Sequence, residues 1–341
     1  MKNRTKVCPM LVSMLTVFAL AIFLLTACSS ESDSAKYGSG RYVTNSYELS
    51  EEFDKIMINV DTADTVFLPS EDGKNRVVCY EKKSENHAVS VQDGCLNISV
   101  NLHKKWYDYI SIGFNSPKIT VYLARNDFES LVYKVDTGDL KIENFNFGSI
   151  DVDVSTAFVA LKNTTCAGDV SIDVSTGDIE IEGMSCKSFA SKGGTGNLTV
   201  QGLSADGEIS LRRSTGDMVA TNLNSTDEIY VKVTTGDVRL TNLTCKDFAS
   251  DGGTGKLSMS QVIASESFNI TRSTGNINFD GCDASEIYVA TSTGNVRGTL
   301  LTDKVYIVRN NAGKIDVPKT ITGGRCEITT ETGDIEISVN N

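Results

Sequence analysis

One glycine recurs at an almost constant interval along most of this chain, and that interval limits the fold more than any other feature. It stands at Gly138, Gly177, Gly196, Gly216, Gly236, Gly255, Gly275, Gly294, Gly313 and Gly333, with Thr156-Ala157-Phe158 filling the one gap. Successive positions are 19 or 20 residues apart. Thr usually precedes the glycine and Asp or Asn follows it, as in Thr176-Gly177-Asp178. A unit this short cannot bury an apolar face by itself. It becomes stable only when copies stack, so the chain reads as a repeat architecture.

The residues around the glycine show what each copy is. Seven positions before it stand Leu131, Ile150, Val170, Phe189 and Ile209, and two positions after it Leu140, Val159, Ile179, Leu198 and Met218. Positions five before and four after are also mostly apolar, with polar residues between them. Alternation of this kind describes short strands with one buried face. The fold class is therefore all-β: a parallel β-solenoid of about 19–20 residues per coil. About 11 coils at the spacing of paired strands would extend roughly 50 Å. No apolar run after residue 27 has the helical period. Regular coils occupy residues 131–341. Residues 51–130 read as a less regular β-rich N-terminal cap, in which Ile56, Ile58 and Val60 lead into Thr62-Ala63-Asp64, an echo of the turn. Asp93-Gly94 has the signature of a tight hairpin.

Residues 1–27 read as an export signal, with a basic start and the apolar run Met10 to Leu25. The sequence Leu25-Thr26-Ala27-Cys28 resembles the lipobox of bacterial lipoproteins, which implies lipidation at Cys28. The alternative is an uncleaved signal anchor, since the apolar run is just long enough to span. Either way the rest of the chain lies outside the cytoplasmic membrane. Residues 28–50 form a Ser/Gly-rich tether. The expected location is the cell membrane, lipid-anchored and facing outward. Net charge is −12. An acidic surface repels phosphate backbones, which argues against nucleic acid as a partner. The nine cysteines do not form a disulfide framework by position. Cys166, Cys186 and Cys245 share one repeat position with alanines and a serine, so they read as small buried residues. Cys79 and Cys95 are the one pair that could bridge.

Few features suggest chemistry. The residue after each glycine is mostly Asp or Asn, whose short side chains bond nearby backbone N–H groups in turns. Calcium between Asp217 and Asp237 is the alternative, but it needs six to eight oxygens, and Lys256 and Lys314 interrupt the same column. Arg213 and Arg272 replace the valines found three positions before the glycine in early coils, and the preceding coil has Gly193 or Gly252 there. Either the arginine stem fills that gap and its guanidinium snorkels to water, or the pair marks a site for an anion or uronate. Trp106, Tyr107, Tyr109 and Phe114 read as a terminal plug or as a ligand contact. No nucleophile elbow, His/Asp/Ser set or phosphate loop occurs. The reading is of a non-enzyme with no cofactor and no metal.

The alternating start Phe53 to Val60, the segment Ile119-Thr120-Val121-Tyr122-Leu123 and the Thr-Gly-Asp/Asn turns resemble a bacterial β-strand-repeat family that carries an adhesin label and is classed as a domain of unknown function. The resemblance spans roughly residues 50–341, and departs at Ala124, where proline is expected. It implies an envelope protein without catalytic residues. The expected function is an adhesin-like binding or structural module whose partner is a glycan or an envelope protein. An envelope-stress accessory acting through a membrane partner is the alternative, and a polysaccharide-active enzyme the third reading.

Overall fold

In the computed structural model the described residues are 42–83, 85–100 and 116–340. The signal segment, Cys28, most of the tether and Trp106, Tyr107, Tyr109 and Phe114 lie outside them. The described residues form an all-β parallel solenoid with a β-rich N-terminal region, as the repeat predicts. No helix among them is long and apolar enough to cross a membrane.

The coil at Gly216 shows the construction. Its leading strand, Ile209–Thr215, pairs in parallel with Glu228–Thr235, and its trailing strand, Met218–Ser225, pairs with Val238 onward. Leu211, Met218, Ala220 and Leu223 point inward and are buried. The same positions in most coils join one core running from Phe53 to Ile337. A fully buried Val, Leu or Ile contributes about 1.5–3 kcal/mol, so several inward side chains per coil carry the stack.

Two left-handed corners shape most coils. At the first, Gly216 and Gly236 have φ of 132° and 146°, a region open essentially to glycine. The following Asx side chain then bonds along the stack and not within its own turn. The Asp237 N–H donates to Asp217 Oδ1 at 2.9 Å, and the Lys256 N–H donates to Asp237 Oδ1 at 2.9 Å. The Thr side chains ahead of the glycine are exposed. The second corner lies within the trailing strand. Ala220 and Leu223 both face inward although three positions separate them, so the inward parity must switch. It switches at Asn222, φ 57°, and at the equivalent Asn163, Gly183, Gly202, Asn242 and Gln261. This column of mostly Asn and Gly was present in the sequence. It passes there for ordinary polar spacing, because only the coordinates show the change of parity. The difference between 19- and 20-residue coils is absorbed at a third corner, where pairing slips between Cys245 and Asp247.

Both ends depart from simple stacking. The N-terminal strand Lys55–Thr62 lies between Cys95–Val100 and Asp127–Thr137. Antiparallel strands then close the stack: His87–Gln92 on Cys95–Val100, and Asn75–Lys82 between Lys118–Leu123 and Tyr42–Leu49. Asp93 and Gly94, with φ of 50° and 71°, make the expected hairpin. The Ala124 N–H donates to Asn75 Oδ1 at 2.8 Å, a bond that proline could not make. At the C-terminal end the order of coils is corrected. Gly324–Thr332 pairs with Glu286–Thr293 on one side and Lys304–Ala312 on the other. In space the Gly333 coil therefore precedes the Gly313 coil. The final strand gains hydrogen bonds on both edges, and an earlier segment becomes the outermost coil.

Cys79 and Cys95 are not bridged, and Cys79, Cys166, Cys186, Cys245, Cys282 and Cys326 are free and buried. Burial pushes the Cys79, Cys186, Cys245 and Cys326 thiols up to about 12. Folding thus favours their neutral form. That stability is complete below the unfolded thiol pKa near 8.5 and is lost progressively as pH rises toward about 12. In native protein near neutral pH, alkylation with mass-spectrometric mapping should label the half-buried Cys95 and spare those four. Denaturation midpoints should fall once pH exceeds about 9. Labelling of the buried thiols at the rate of Cys95 would contradict this packing.

Candidate functional site

Exposed side chains of the leading strands form columns along the stack, because each coil is in register with the next. The column four positions before the glycine runs Asp173, Lys192, Arg212, Lys232 and Asp251. Lys192, Arg212 and Lys232 are exposed cations on three successive coils. Between them and the coil corner lie Ser175, Gly194, Ser214 and Thr234. On the other side lie Ser171, Ala190 and Ser210, followed by Tyr230. Small flanks beside long cations leave two open grooves of about 300 and 310 Å³, which share Lys192 and Arg212. Arg212 is fixed at their junction. Its Nε donates to Ser210 Oγ at 3.0 Å, and its guanidinium lies 4.6 Å from the Tyr230 ring centre. The Tyr230 hydroxyl donates to Asp251 Oδ2 at 2.7 Å. Lys192 meets Asp173 at 2.7 Å in an exposed pair.

Arg213 points the other way, into the stack. Only 2% of it is exposed, and its Nε, Nη1 and Nη2 have no hydrogen-bond partner. The guanidinium itself occupies the space that a Gly193 side chain would need: a Cβ there would lie 1.5 Å from Nη1. Burial therefore replaces the snorkelled geometry expected from sequence, because the gap is deep enough for the whole side chain. Arg272 repeats the arrangement against Gly252. Burial pushes the Arg213 pKa down to about 10, and the carboxylates of Asp178 and Asp173 oppose the shift. Arg213 therefore stays charged at neutral pH.

An unpaired buried charge is expensive. Arg213→Met keeps similar volume and removes the charge, and should stabilise the protein by about 2 kcal/mol, read as a higher urea midpoint. Gly193→Ala should do the reverse, since its Cβ would also lie 2.5 Å from the Val174 carbonyl oxygen. A lower midpoint for Arg213→Met would mean that the guanidinium is compensated.

A second group combines metal-ligating side chains. Donor atoms of Cys79, Glu81 and His87 lie within 4.8 Å of one another, all buried. The Glu81 carboxylate already accepts the His87 main-chain N–H at 2.7 Å, faces His87 Nδ1 at 2.5 Å and accepts the Asn45 amide. Two ligands of one tetrahedral zinc sit roughly 3.3 Å apart at ordinary bond lengths. The 2.5 Å contact is instead that of a hydrogen bond, and the group pins the strand Asn75–Lys82 to the start of His87–Gln92. The turn Asp residues are likewise committed to the backbone of the next coil, Asp217 and Asp237 included.

Sequence reading singled out Arg213 and Arg272, and the structure places them inside the stack and apart from each other. It left out Lys232 and Tyr230. The signal for Lys232 was the alignment of successive coils, which puts it in line with Lys192 and Arg212.

The family described as Toastrack DUF4097 matches residues 53–241 and 221–341. No curated protein matches the chain. Among solved structures, the chain is similar to an adhesin candidate from Bacteroides fragilis at 15% identity, covering 88% of this chain and 99% of that one, with a TM-score of 0.33. An adhesin candidate from Parabacteroides distasonis matches at 14% identity, over 88% and 98%, with a TM-score of 0.36. A candidate lipid-binding protein from the same organism matches at 17% identity, over 76% and 95%, with a TM-score of 0.31.

Proposed function

The chain belongs to the Toastrack DUF4097 family, and from that premise we propose that it is a non-catalytic, adhesin-like binding module, held at the outer face of the cell membrane by a lipid on Cys28. One observation carries the binding reading. The leading strands present exposed side chains in register over successive coils, with shallow grooves open along that face. Such a surface suits an extended polymer better than a small substrate, which is usually enclosed. Catalysis would need an acid, base or nucleophile within reach of one another in a cleft. The Cys186, Cys245 and Cys326 thiols, whose pKa burial raises, lie in the core. The anchor reading rests on Leu25-Thr26-Ala27-Cys28 followed by a polar tether.

Binding of the mature protein to a panel of cell-wall and host glycans tests the first part. Retention of at least one polymer without change in its length is the expected result. Chain shortening would overturn the non-catalytic assignment, and failure to bind any polymer would overturn the binding role. For the anchor, Cys28→Ser should move the protein from the membrane fraction to the soluble fraction. Unchanged membrane association would overturn it.

A further inference from the structure

We propose that the row Lys192, Arg212 and Lys232 binds a linear anionic glycan along the stacking direction. The inference rests on the binding role above and names its ligand class and site. Registered pairing places the backbone positions of the three cations at the coil rise of about 4.8 Å, a spacing comparable to the length of one pyranose unit. A polymer with one charge per sugar can therefore meet one cation per coil. Double-stranded nucleic acid carries a charge about every 1.7 Å, a density this short row cannot match. Asp173 and Asp251 bound the row at its two ends and would repel a denser polyanion.

The site is built and not merely charged. Arg212 is held by Ser210 and by its contact with the Tyr230 ring, so little side-chain freedom remains to be lost on binding. Lys192 is engaged only with Asp173, both partly exposed. Such a pair contributes little and can be exchanged for a ligand anion. Ser171, Ser175 and Ser214 line the two grooves and offer hydroxyls to sugar hydroxyls. The Glu208 carboxylate lines the groove of Ser171, where it favours a ligand whose charges are spaced rather than continuous. Behind the groove lies Arg213, buried and without a hydrogen-bond partner. Its charge adds to the field over Gly193 and Gly194, which line the same groove.

The chain contains its own control. Arg272 repeats the buried guanidinium of Arg213, but the outward column beside it reads Asp251, Thr271 and Ala290. The buried arginine is therefore common to both copies of the repeat, and the surface row occurs in one. Ligand binding is assigned to the first copy only.

Carboxylate and sulfate groups share the required chemistry, and the test separates them. Titration of the mature protein with polygalacturonate, chondroitin 4-sulfate and dextran should show binding to at least one anionic polymer, weakened by salt, and none to dextran. Lys192→Gln with Lys232→Gln should lower affinity about tenfold, as expected for two lost charge contacts. Lys134→Gln, in the same column several coils away, should leave affinity unchanged. Arg213→Met should weaken binding, and Arg272→Met should not. Undiminished binding by the Lys192/Lys232 variant would overturn this site and leave the binding role standing. Binding of neutral glycans alone would do the same. Failure of every glycan would overturn both.

Discussion

Gly236→Ala should destabilise the protein by about 4 kcal/mol, combining roughly 1–3 kcal/mol for a left-handed backbone and roughly 1–3 kcal/mol for overpacking. Gly236 has φ 146°, and an added Cβ would lie 2.0 Å from the Gly216 carbonyl oxygen and 2.6 Å from its carbon. Both atoms belong to main chain, so relief requires two coils to part. Each coil contacts only its neighbours, and separation at one interface weakens the whole array. Gly94→Ala provides the comparison. Its φ is 71° and nothing lies within 4 Å of the added atom, so only the conformational cost of about 1 kcal/mol remains. Chemical denaturation of the two variants decides the matter. Equal midpoints would show that close stacking at the corner is not what selects glycine. Ala157 is no exception, because it occupies the corner without a positive φ.

Asp283→Ala should cost about 3–5 kcal/mol by stranding a buried ammonium. Lys304 Nζ lies 2.7 Å from Asp283 Oδ1, and Lys304 is 3% exposed. The same carboxylate oxygen accepts the Ala284 N–H at 2.9 Å. Lys304 begins the outermost strand, Lys304–Ala312, and faces Gly324 in the coil inserted beneath it. The pair thus ties the displaced end coil to the body of the stack. Hydrogen exchange should accelerate over Lys304–Ala312 in this variant more than in the central coils. Adding Lys304→Met to Asp283→Ala should recover most of the loss, since the stranded charge is then removed. If the double variant were no more stable than the single one, the ion pair would not be the cause.

These two sites differ in how far the sequence reveals them. The corner glycines, the inward ladders and the burial of Cys186 and Cys245 were readable because each is a local choice repeated at a fixed period. Alternation decides which side chains are buried, and a glycine in every coil marks where the chain turns. The row Lys192, Arg212 and Lys232 was readable in principle once coils are aligned. The Asp283–Lys304 pair was not, because it depends on which coil lies beside which.

Short-range pattern and backbone sterics account for the coil of this chain: its length, its strands, its buried columns and its glycine corner. The order of the last two coils and the depth at which the arginines lie depend on contacts between coils and are visible only in the folded chain. The sequence repeats apolar residues at the same positions in both coils, so the pattern fits whether Gly313 or Gly333 follows Gly294. In the structure the Gly333 coil lies next to the Gly294 coil, and the Gly313 coil is outermost. Likewise Gly193 announces a gap, but only the packed neighbours fix its depth. It takes in the whole guanidinium of Arg213, and Lys192, Arg212 and Lys232 remain to face the solvent.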